Sequence, residues 1–385
     1  MAIDKVTSAA ITDSAVTSAK VADGVLQPNF RNIIINGDMS IAQRGTSQAS
    51  ITSSGYYTVD RFNFEIGSAG TWTQSQSTDV PTGQGFANSI KLDCTTADAS
   101  LGSGDICHLN QRIEGQNLQY LKKGTSSAQS LTLSFWVKSN KTGTYIAEFR
   151  ERDNNRTISQ SYTISSADTW EKKTLTYAGD TSGVLGNDNG NSLQINFWLA
   201  AGANYSSGTL ATSWGTRTDA NRAVGQVNLA DSTSNEWYIT GVQLEVGSAA
   251  SDFEFLPFDI NLARCHRYCY VMGASANAEN GGQFTVGSGM CRSSGSAIFT
   301  DIVGSYPQPL RTLPSLTQVG GDLADIFCYK TNGTSADPTS ISIGRNTIAL
   351  RVTNNMGLSS GLTAGDATIQ QIQESDTDLV FDAEL

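Results

Sequence analysis

The sequence predicts an all-β protein whose largest part is a β-sandwich. Of the 385 residues, 37 are glycine and 38% are hydrophobic, and Ser, Thr and Asn are abundant. Such a composition suits short strands that are joined by many turns. Between residues 31 and 258, short runs of alternating apolar and polar residues are separated by clusters of Gly, Asn, Asp and Ser. Many short strands with turn signals between them are typical of a sandwich.

Three segments divide the chain. Residues 1–30 are a low-complexity repeat, for which we expect an N-terminal stalk or anchor. Residues 31–258 carry the alternating runs, which are, in chain order, NIIINGDMSIAQ, YYTVDRFNFEIG, SLTLSFWVKS, GTYIAEFRER, SLQINFWLAAG and EWYITGVQLEVG. Residues 259–385 become glycine-rich after a short connecting stretch, and we expect a second, smaller β domain there.

A branched apolar residue recurs at every fifth position of the first segment. The members of this repeat are Val6, Ile11, Val16 and Val21. A step of five residues turns a helix by roughly 140°, and it reverses the side-chain direction on a strand. Neither regular element of a single chain can therefore bury the whole set on one side. A disordered Ser/Thr-rich tail and a pentapeptide-type β-helix are alternatives, although four repeats are few for such a solenoid.

Charge and hydropathy exclude several classes of protein. The net charge is −11 and the pI is about 4.7, which argues against a nucleic-acid partner. No apolar run is long enough to span a bilayer. The first residues, MAIDKVTSAAITDS, lack the apolar core of a secretory signal, so we expect synthesis in a cytoplasm without export.

The six cysteines show no compact disulfide framework, and we expect them to be reduced and buried. Cys265 and Cys269 stand four residues apart with His266 between them. A zinc ion would need further ligands near this pair, and His108 is the only other histidine. We therefore predict no metal at this position.

The second segment contains a series of motifs in a characteristic order. NIIINGDMSIAQRGTS, YYTVDRF, QRIEGQNLQYL, LTLSFWVKS, GVQLEVGS and FEFLPFDINLARCHRYCYV follow one another. This series resembles a family of bacteriophage tail-fibre and virion-appendage proteins that carry a jelly-roll domain like a carbohydrate-binding module. The later GSYPQPLRTLPSL looks like the distal segment of the same family, so the resemblance covers roughly residues 31–315.

The resemblance implies a homotrimeric structural protein of the virion that attaches to the host surface. It also implies a role for the N-terminal repeat, which would contact other virion proteins of the tail or a portal-proximal adaptor, or intertwine three chains. Three copies around one axis can share apolar residues that a single chain cannot bury. Each Val or Ile removed from water contributes about 1.5–3 kcal/mol, so we expect a trimeric or docked stalk.

Modules of this shape often hold a structural calcium ion. The ion lies between an early NGD-like segment and acidic residues in a late strand. This chain has Asn36-Gly37-Asp38 at the first position, but Thr240-Gly241-Val242 at the second, where only Glu245 is acidic and close. Hard cations need several oxygen ligands. We therefore predict no metal and no cofactor.

Two predicted strands carry a tryptophan opposite their apolar residues. The inward sets are Leu131, Leu133, Phe135 and Val137 in one strand and Leu193, Ile195, Phe197 and Leu199 in the other. Alternation then places Trp136 and Trp198 on the outer, polar face. Aromatic rings beside amides and charges are what saccharide binding requires. The predicted carbohydrate-binding residues are Trp136, Trp198, Trp237, Glu148, Arg150, Gln194 and Asn196. Burial of the rings by a long loop, the C-terminal domain or a neighbouring subunit is the alternative.

We find no catalytic motif and predict that the chain is not an enzyme. A G-x-S-x-G elbow, a P-loop and an H-E-x-x-H helix are all missing from the sequence. The predicted function is that of a phage tail fibre on the virion, attaching to a host-surface glycan by weak multivalent binding. A purely structural head or tail appendage is the first alternative. A polysaccharide depolymerase is the second, although the repeat of a long β-helix is missing.

Overall fold

A computed structural model describes residues 30–273, 284–291, 299–319, 326–330, 335–336, 340–343, 347–355, 364–372 and 378–385. The repeat residues Val6, Ile11, Val16 and Val21 lie outside the described residues. No helix among the described residues is long and apolar enough to cross a membrane.

Thirteen strands build two facing antiparallel sheets. In chain order they are β1 (Ser47–Ile51), β2 (Gly55–Tyr56), β3 (Asn63–Gly67), β4 (Thr71–Ser77), β5 (Ser89–Thr96), β6 (Ile106–Glu114), β7 (Leu131–Ser139), β8 (Gly143–Glu151), β9 (Arg156–Ile164), β10 (Glu171–Tyr177), β11 (Asn191–Ala201), β12 (Gly215–Thr216) and β13 (Glu236–Val246). The six-stranded sheet has the order β1-β4-β5-β13-β7-β10, and the seven-stranded sheet has the order β12-β9-β8-β11-β6-β3-β2. Short helical turns lie between them at Gly115–Asn117, Gln119–Leu121, α1 (Ala203–Ser206), Asp219–Asn221 and Leu229–Asp231.

The core lies between the two sheets and confirms the predicted fold class. Both predicted inward sets are fully or almost fully buried, and they belong to one continuous apolar cluster with residues from the opposite sheet. Edge-to-face contacts cross the gap, as between Phe135 and Phe197, whose ring centroids are 5.1 Å apart. Strand alternation therefore places the core correctly in β7 and β11.

The first alternating run, residues 32–43, is not the strand that the pattern indicates. Asn36 and Met39 have φ angles of 60° and 61°, which interrupt an extended backbone. Gly37 lies so close to β13 that a Cβ atom there would come within 2.1 Å of the Val242 carbonyl oxygen. The run is irregular backbone that is held by local hydrogen bonds around Asn36 and by two backbone hydrogen bonds to β13, Ile33 N–H to the Leu244 carbonyl and Val242 N–H to the Gly37 carbonyl.

The helix α2 (Phe258–His266) follows the sandwich and packs against this irregular run. Its Asn261 side chain donates to Asp38 Oδ1 at 3.1 Å and accepts from the Asn36 backbone N–H at 3.2 Å. Asp259 in its first turn complements the positive end of the helix dipole. The helix therefore joins the sandwich to the strands that come after it.

The described strands beyond α2 form two further antiparallel sheets. They are β14 (Cys269–Gly273), β15 (Phe284–Cys291), β16 (Phe299–Ser305), β17 (Ser315–Val319), β18 (Ile326–Lys330), β19 (Ser335–Ala336), β20 (Ser340–Ile343), β21 (Ala349–Asn355), β22 (Ala367–Ile372) and β23 (Asp378–Asp382). A three-stranded sheet has the order β14-β23-β17, and a seven-stranded sheet has the order β19-β18-β22-β15-β16-β21-β20. After β23 the chain returns to the sandwich, where Glu384 pairs with the buried Arg61.

Candidate functional site

The predicted platform of tryptophans does not exist, because its three rings lie in three different places. Trp136 is on β7 in the six-stranded sheet, whereas Trp198 is on β11 in the seven-stranded sheet. The outer faces of these sheets point in opposite directions. Trp237 points into the core between the sheets, where its ring centroid is 6.3 Å from that of Phe197. The prediction of a saccharide contact is therefore wrong for Trp237.

A bulge in β13 explains the position of Trp237. Trp237 and Ile239 face the core before the bulge, and Val242 and Leu244 face it afterwards. The pairing with β7 shifts between Thr240 and Gln243, which inserts an extra residue into β13. If β13 had no bulge, Trp237 and Ile239 would lie on the face opposite Val242 and Leu244. A strict period of two that is counted back from Leu244 therefore places Trp237 on the outer face, which is wrong.

Trp198 does lie on the outer face of its sheet, but it is fully buried. The chain between β11 and β13, here called the cover segment (residues 202–228), folds back over this part of the seven-stranded sheet. Tyr205, Leu210 and Ala223 of the cover segment pack against the indole, and the Tyr205 ring centroid is 5.7 Å away. A long loop therefore covers the ring, which was the alternative to saccharide binding.

Glu148 is the polar centre of this covered region. It is completely buried and accepts hydrogen bonds from five protein donors: Arg222 Nε at 2.7 Å, Arg222 Nη2 at 3.0 Å, Trp198 Nε1 at 2.9 Å, Asn196 Nδ2 at 2.9 Å and Thr157 Oγ1 at 2.8 Å. Burial alone would raise its pKa, but the Arg222 charge and these donors lower it to about 2. The carboxylate is ionised and fully occupied, so it anchors the cover segment and is neither a general acid nor a free saccharide ligand.

The two predicted amide side chains, Asn196 and Gln194, are also buried and hydrogen-bonded within the protein. Asn196 is fully buried and Gln194 is almost so, and the Gln194 amide donates to Asn196 Oδ1 at 2.7 Å. Among the predicted residues of this sheet, Arg150 alone keeps partial exposure. Sequence reasoning brought these side chains to one face correctly, since Gln194 pairs with Arg150 and Asn196 with Glu148 in the ladder. It offered a covering loop as an alternative but did not identify residues 202–228 as that loop.

Trp136 is the predicted tryptophan that solvent reaches. It is half-buried and forms the floor of a cleft of about 240 Å³ on the outer face of the six-stranded sheet. We call this the Trp136 cleft, and its lining residues are Gly83, Gln84, Phe86, Ser134, Trp136, Lys172, Gly241, Asp252, Phe253 and Phe255. An accessible indole with amide and charged groups at the rim suits a saccharide, whose ring has an apolar face and polar edges.

Three phenylalanines form the apolar wall of the Trp136 cleft. The ring of Phe86 lies 5.1 Å from both Phe253 and Phe255, and those two rings are 4.8 Å apart. The β13 bulge makes room for this cluster, because Gly241 has a φ of 59° and a Cβ atom there would lie 2.6 Å from the Phe86 ring. The alternating FEF of residues 253–255 is the sequence signal that could have indicated this aromatic wall.

The predicted absence of metals concerns two places. Asp38 accepts hydrogen bonds from Ser40 and Asn261, and Glu245 accepts them from the Ser251 backbone and side chain. Burial raises the pKa of the Cys265 and Cys269 thiols well above the ordinary range. Within the described part of the chain, no group of three or more His, Cys, Asp and Glu side chains could hold a metal ion.

Comparison with known proteins finds likeness in solved structures alone. No protein-family model and no curated protein matches the chain. An enzymatically active domain of tailspike protein 4 from bacteriophage CBA120 has a TM-score of 0.30 at 15% identity, covering 56% of this chain and 22% of that chain. The chain thus spans about a fifth of the tailspike domain's length.

Two further solved structures cover a similar share of the chain. The CBM22-1 xylan-binding domain of Paenibacillus barcinonensis Xyn10C has a TM-score of 0.25 at 10% identity, covering 55% of this chain and all (100%) of that one. A cyclase from Fischerella sp. has a TM-score of 0.33 at 13% identity, covering 57% of this chain and 98% of that one. At such scores these likenesses do not extend to a common ligand or activity.

Proposed function

We propose that this chain is a tail fibre of a bacteriophage virion, and that its sandwich binds a host-surface glycan in the Trp136 cleft. The order of motifs across residues 31–315 supports the virion assignment. The observation that carries the binding proposal is the accessible Trp136 indole inside a built cleft with an aromatic wall.

The chemistry of the Trp136 cleft suits a largely neutral saccharide. The apolar C–H face of a pyranose stacks on the indole, while Gln84, Ser134 and Asp252 offer acceptors and donors to hydroxyl groups. Lys172 pairs with Trp136 in the ladder and stands on the edge strand β10, where its ammonium adds a donor at the rim. One site of this kind binds weakly, and a trimer would raise the avidity by presenting three copies.

Replacing Trp136 by Ala tests the proposal. We expect glycan-array binding or adsorption to host cells to fall at least about tenfold, equivalent to about 1.4 kcal/mol per site. Thermal unfolding should change less than binding, because the indole is partly exposed and is not part of the core cluster between the sheets. Tyr120→Ala is the matched control, since it removes an exposed ring outside the Trp136 cleft. Unchanged adsorption of the Trp136 variant would contradict binding in this cleft.

A purely structural appendage is the second candidate, and one observation favours it. Several large apolar side chains near the start of the described chain and around the start of α2 remain exposed, namely Phe30 at 59%, Phe255 at 50% and Phe258 at 63%. Such residues suit contact with other virion proteins or with a second copy. Locating the chain in a cryo-EM map of the virion would separate the two functions, because a structural appendage places the Trp136 cleft inside a contact.

We further propose that the chain binds without cleaving. Glu148, the carboxylate with the largest fall in pKa, is enclosed by protein donors and has no access to a substrate. Incubation with host polysaccharide should release no reducing ends. Release of reducing ends would restore the depolymerase alternative.

A further inference from the structure

A row of arginines crosses the outer face of the seven-stranded sheet beside the cover segment. Gln194 of β11 pairs with Arg150 of β8 on one side and with Arg112 of β6 on the other. These three side chains therefore share one face, with the two guanidinium-bearing positions about 10 Å apart, two strand spacings. Arg152 continues this edge, where its backbone N–H donates to the Ser192 carbonyl at 2.9 Å. We call Arg112, Arg150 and Arg152 the arginine row.

The arginine row carries more positive charge than its surroundings neutralise. Within the row, Arg112 pairs with Glu65 at 3.6 Å. The nearby Arg217 and Arg222 pair with Asp219 at 2.5 Å and with Glu148 at 2.7 Å. Arg112 also donates to the main-chain oxygen of Leu385. Arg150 and Arg152 form no ion pair with any carboxylate that the structure describes, and Arg150 Nε is buried without a hydrogen-bond partner.

Burial and the neighbouring positive charges both lower the pKa values of Arg150 and Arg152. Partial burial, followed by the charges of Arg152, Arg217 and Arg222, lowers the pKa of Arg150 to about 10. Burial and the nearby Arg112 also lower the pKa of Arg152. Gathering like charges costs stability, and the chain as a whole has a net charge of −11. The binding of an anionic ligand would neutralise the arginine row and would explain why the fold keeps these positive charges together.

We propose that the arginine row binds an acidic saccharide, with anionic groups spaced along the polymer. Guanidinium groups recognise carboxylates by two parallel hydrogen bonds, a geometry that lysine does not offer. The separation of about 10 Å between Arg150 and Arg112 suits charges repeated along an extended chain rather than one compact anion. This site is separate from the Trp136 cleft, since it lies on the other sheet and selects by charge.

The test compares one oligosaccharide with and without its charges. Oligogalacturonate and its methyl ester share the same sugar chain, and only the first is anionic. By calorimetry on the full chain we expect the acid to bind at least tenfold more tightly than the ester, and we expect this preference to weaken with added salt. A sulfated oligosaccharide of equal length shows whether carboxylates are preferred over sulfates.

Arg150→Gln should reduce oligogalacturonate affinity at least tenfold. Arg150→Lys should reduce it by less, since lysine keeps the positive charge but cannot form the two parallel hydrogen bonds of a guanidinium. The unfolding midpoint of Arg150→Gln should stay equal or rise, because repulsion is relieved; a purely structural arginine would lower it instead. Lys141→Gln is the matched control, since it removes one positive charge from the turn that precedes β8, more than about 20 Å from Arg150.

Three results would overturn the proposal. They are equal affinities for the acid and its methyl ester, an affinity of Arg150→Gln within twofold of the unmodified chain, and inorganic sulfate competing at the same concentration as the oligosaccharide. Trp136→Ala should leave oligogalacturonate binding unchanged. Failure of the Trp136 cleft and failure of the arginine row are therefore distinguishable.

Discussion

At the scale of single residues, Glu148 shows how a buried charge is made tolerable. Removing a carboxylate from water is costly unless an opposite charge and hydrogen-bond donors replace the solvent. Arg222 supplies the charge in a two-pronged contact, and Trp198, Asn196 and Thr157 complete the shell. Because Arg222 belongs to the cover segment, this one carboxylate holds the cover segment on the sheet.

Glu148→Gln should therefore be strongly destabilising at neutral pH. It leaves the buried Arg222 with only the exposed Asp219 as a carboxylate partner, at 3.4 Å. We expect the free energy of unfolding to fall by about 3–5 kcal/mol. Urea denaturation at pH 7 measures the loss. Asp93→Asn, which changes a partly exposed carboxylate 3.7 Å from Lys91, should cost less than about 1 kcal/mol. A Glu148 variant as stable as the Asp93 variant would contradict the anchoring role.

The pH dependence of this difference has a definite sign. The pKa of Glu148 is about 2 in the folded chain, below its ordinary value of 4.5. The ion pair therefore contributes its full stability above pH 4.5, and the contribution is lost as the pH falls toward 2. The gap between the unmodified chain and Glu148→Gln should shrink across that range in the same urea experiment.

At the scale of elements, the β13 bulge shapes the Trp136 cleft. Its extra residue changes which alternate side chains of β13 face the core. Gly241, which has no side chain, lets the Phe86 ring lie against the backbone. A side chain at Gly241 would meet that ring and would also adopt a strained left-handed conformation. The cleft wall thus depends on the absence of one Cβ atom.

Gly241→Ala should displace Phe86 and weaken glycan binding in the Trp136 cleft several-fold, with a loss of about 1–3 kcal/mol in unfolding free energy. Gly247→Ala separates the two effects. Gly247 also has a positive φ, of 117°, but has nothing within 4 Å of a Cβ atom. Glycan binding and urea denaturation of both variants provide the measurement, and equal binding by the two would argue against the bulge as a determinant of the cleft.

Strand alternation predicted which residues of a strand face the core better than it predicted bulges or the loops that cover a sheet. It placed the inward residues of β7 and β11 correctly, because a half-buried strand has a strict period of two. It failed at Trp237, since a bulge has no reliable mark in one sequence. It also placed Trp198 on the outer face correctly, but it could not show that residues 202–228 return to cover that face. Alternation alone does not predict the arginine row, because Arg112 and Arg150 come to lie on either side of Gln194 only through strand pairing.

At the scale of the whole molecule, the predicted trimer remains open to a direct measurement. Light scattering coupled to size exclusion should give three times the mass of the 40.9 kDa chain at micromolar concentration. Deleting residues 1–30 should weaken assembly or attachment to the virion while the sandwich stays folded, since that unit has its own core. A monomer with residues 1–30 intact would contradict the shared-stalk hypothesis.

The three-stranded sheet brings together distant parts of the chain. Its central strand β23 lies between β14 and β17, and the buried Phe381 stacks near Tyr270 with ring centroids 6.0 Å apart. β14 follows α2 directly, but its partner lies roughly 100 residues further along the chain.

On the ribosome, the sandwich strands are therefore complete long before this sheet can close. At ordinary elongation rates β14 waits about 5–20 s for β23. During that interval Tyr270 and Met272 lack the strand that later pairs with them. Synthesis in a heterologous host should consequently be limited by aggregation of this late-closing sheet, and slower expression at low temperature should favour the soluble chain.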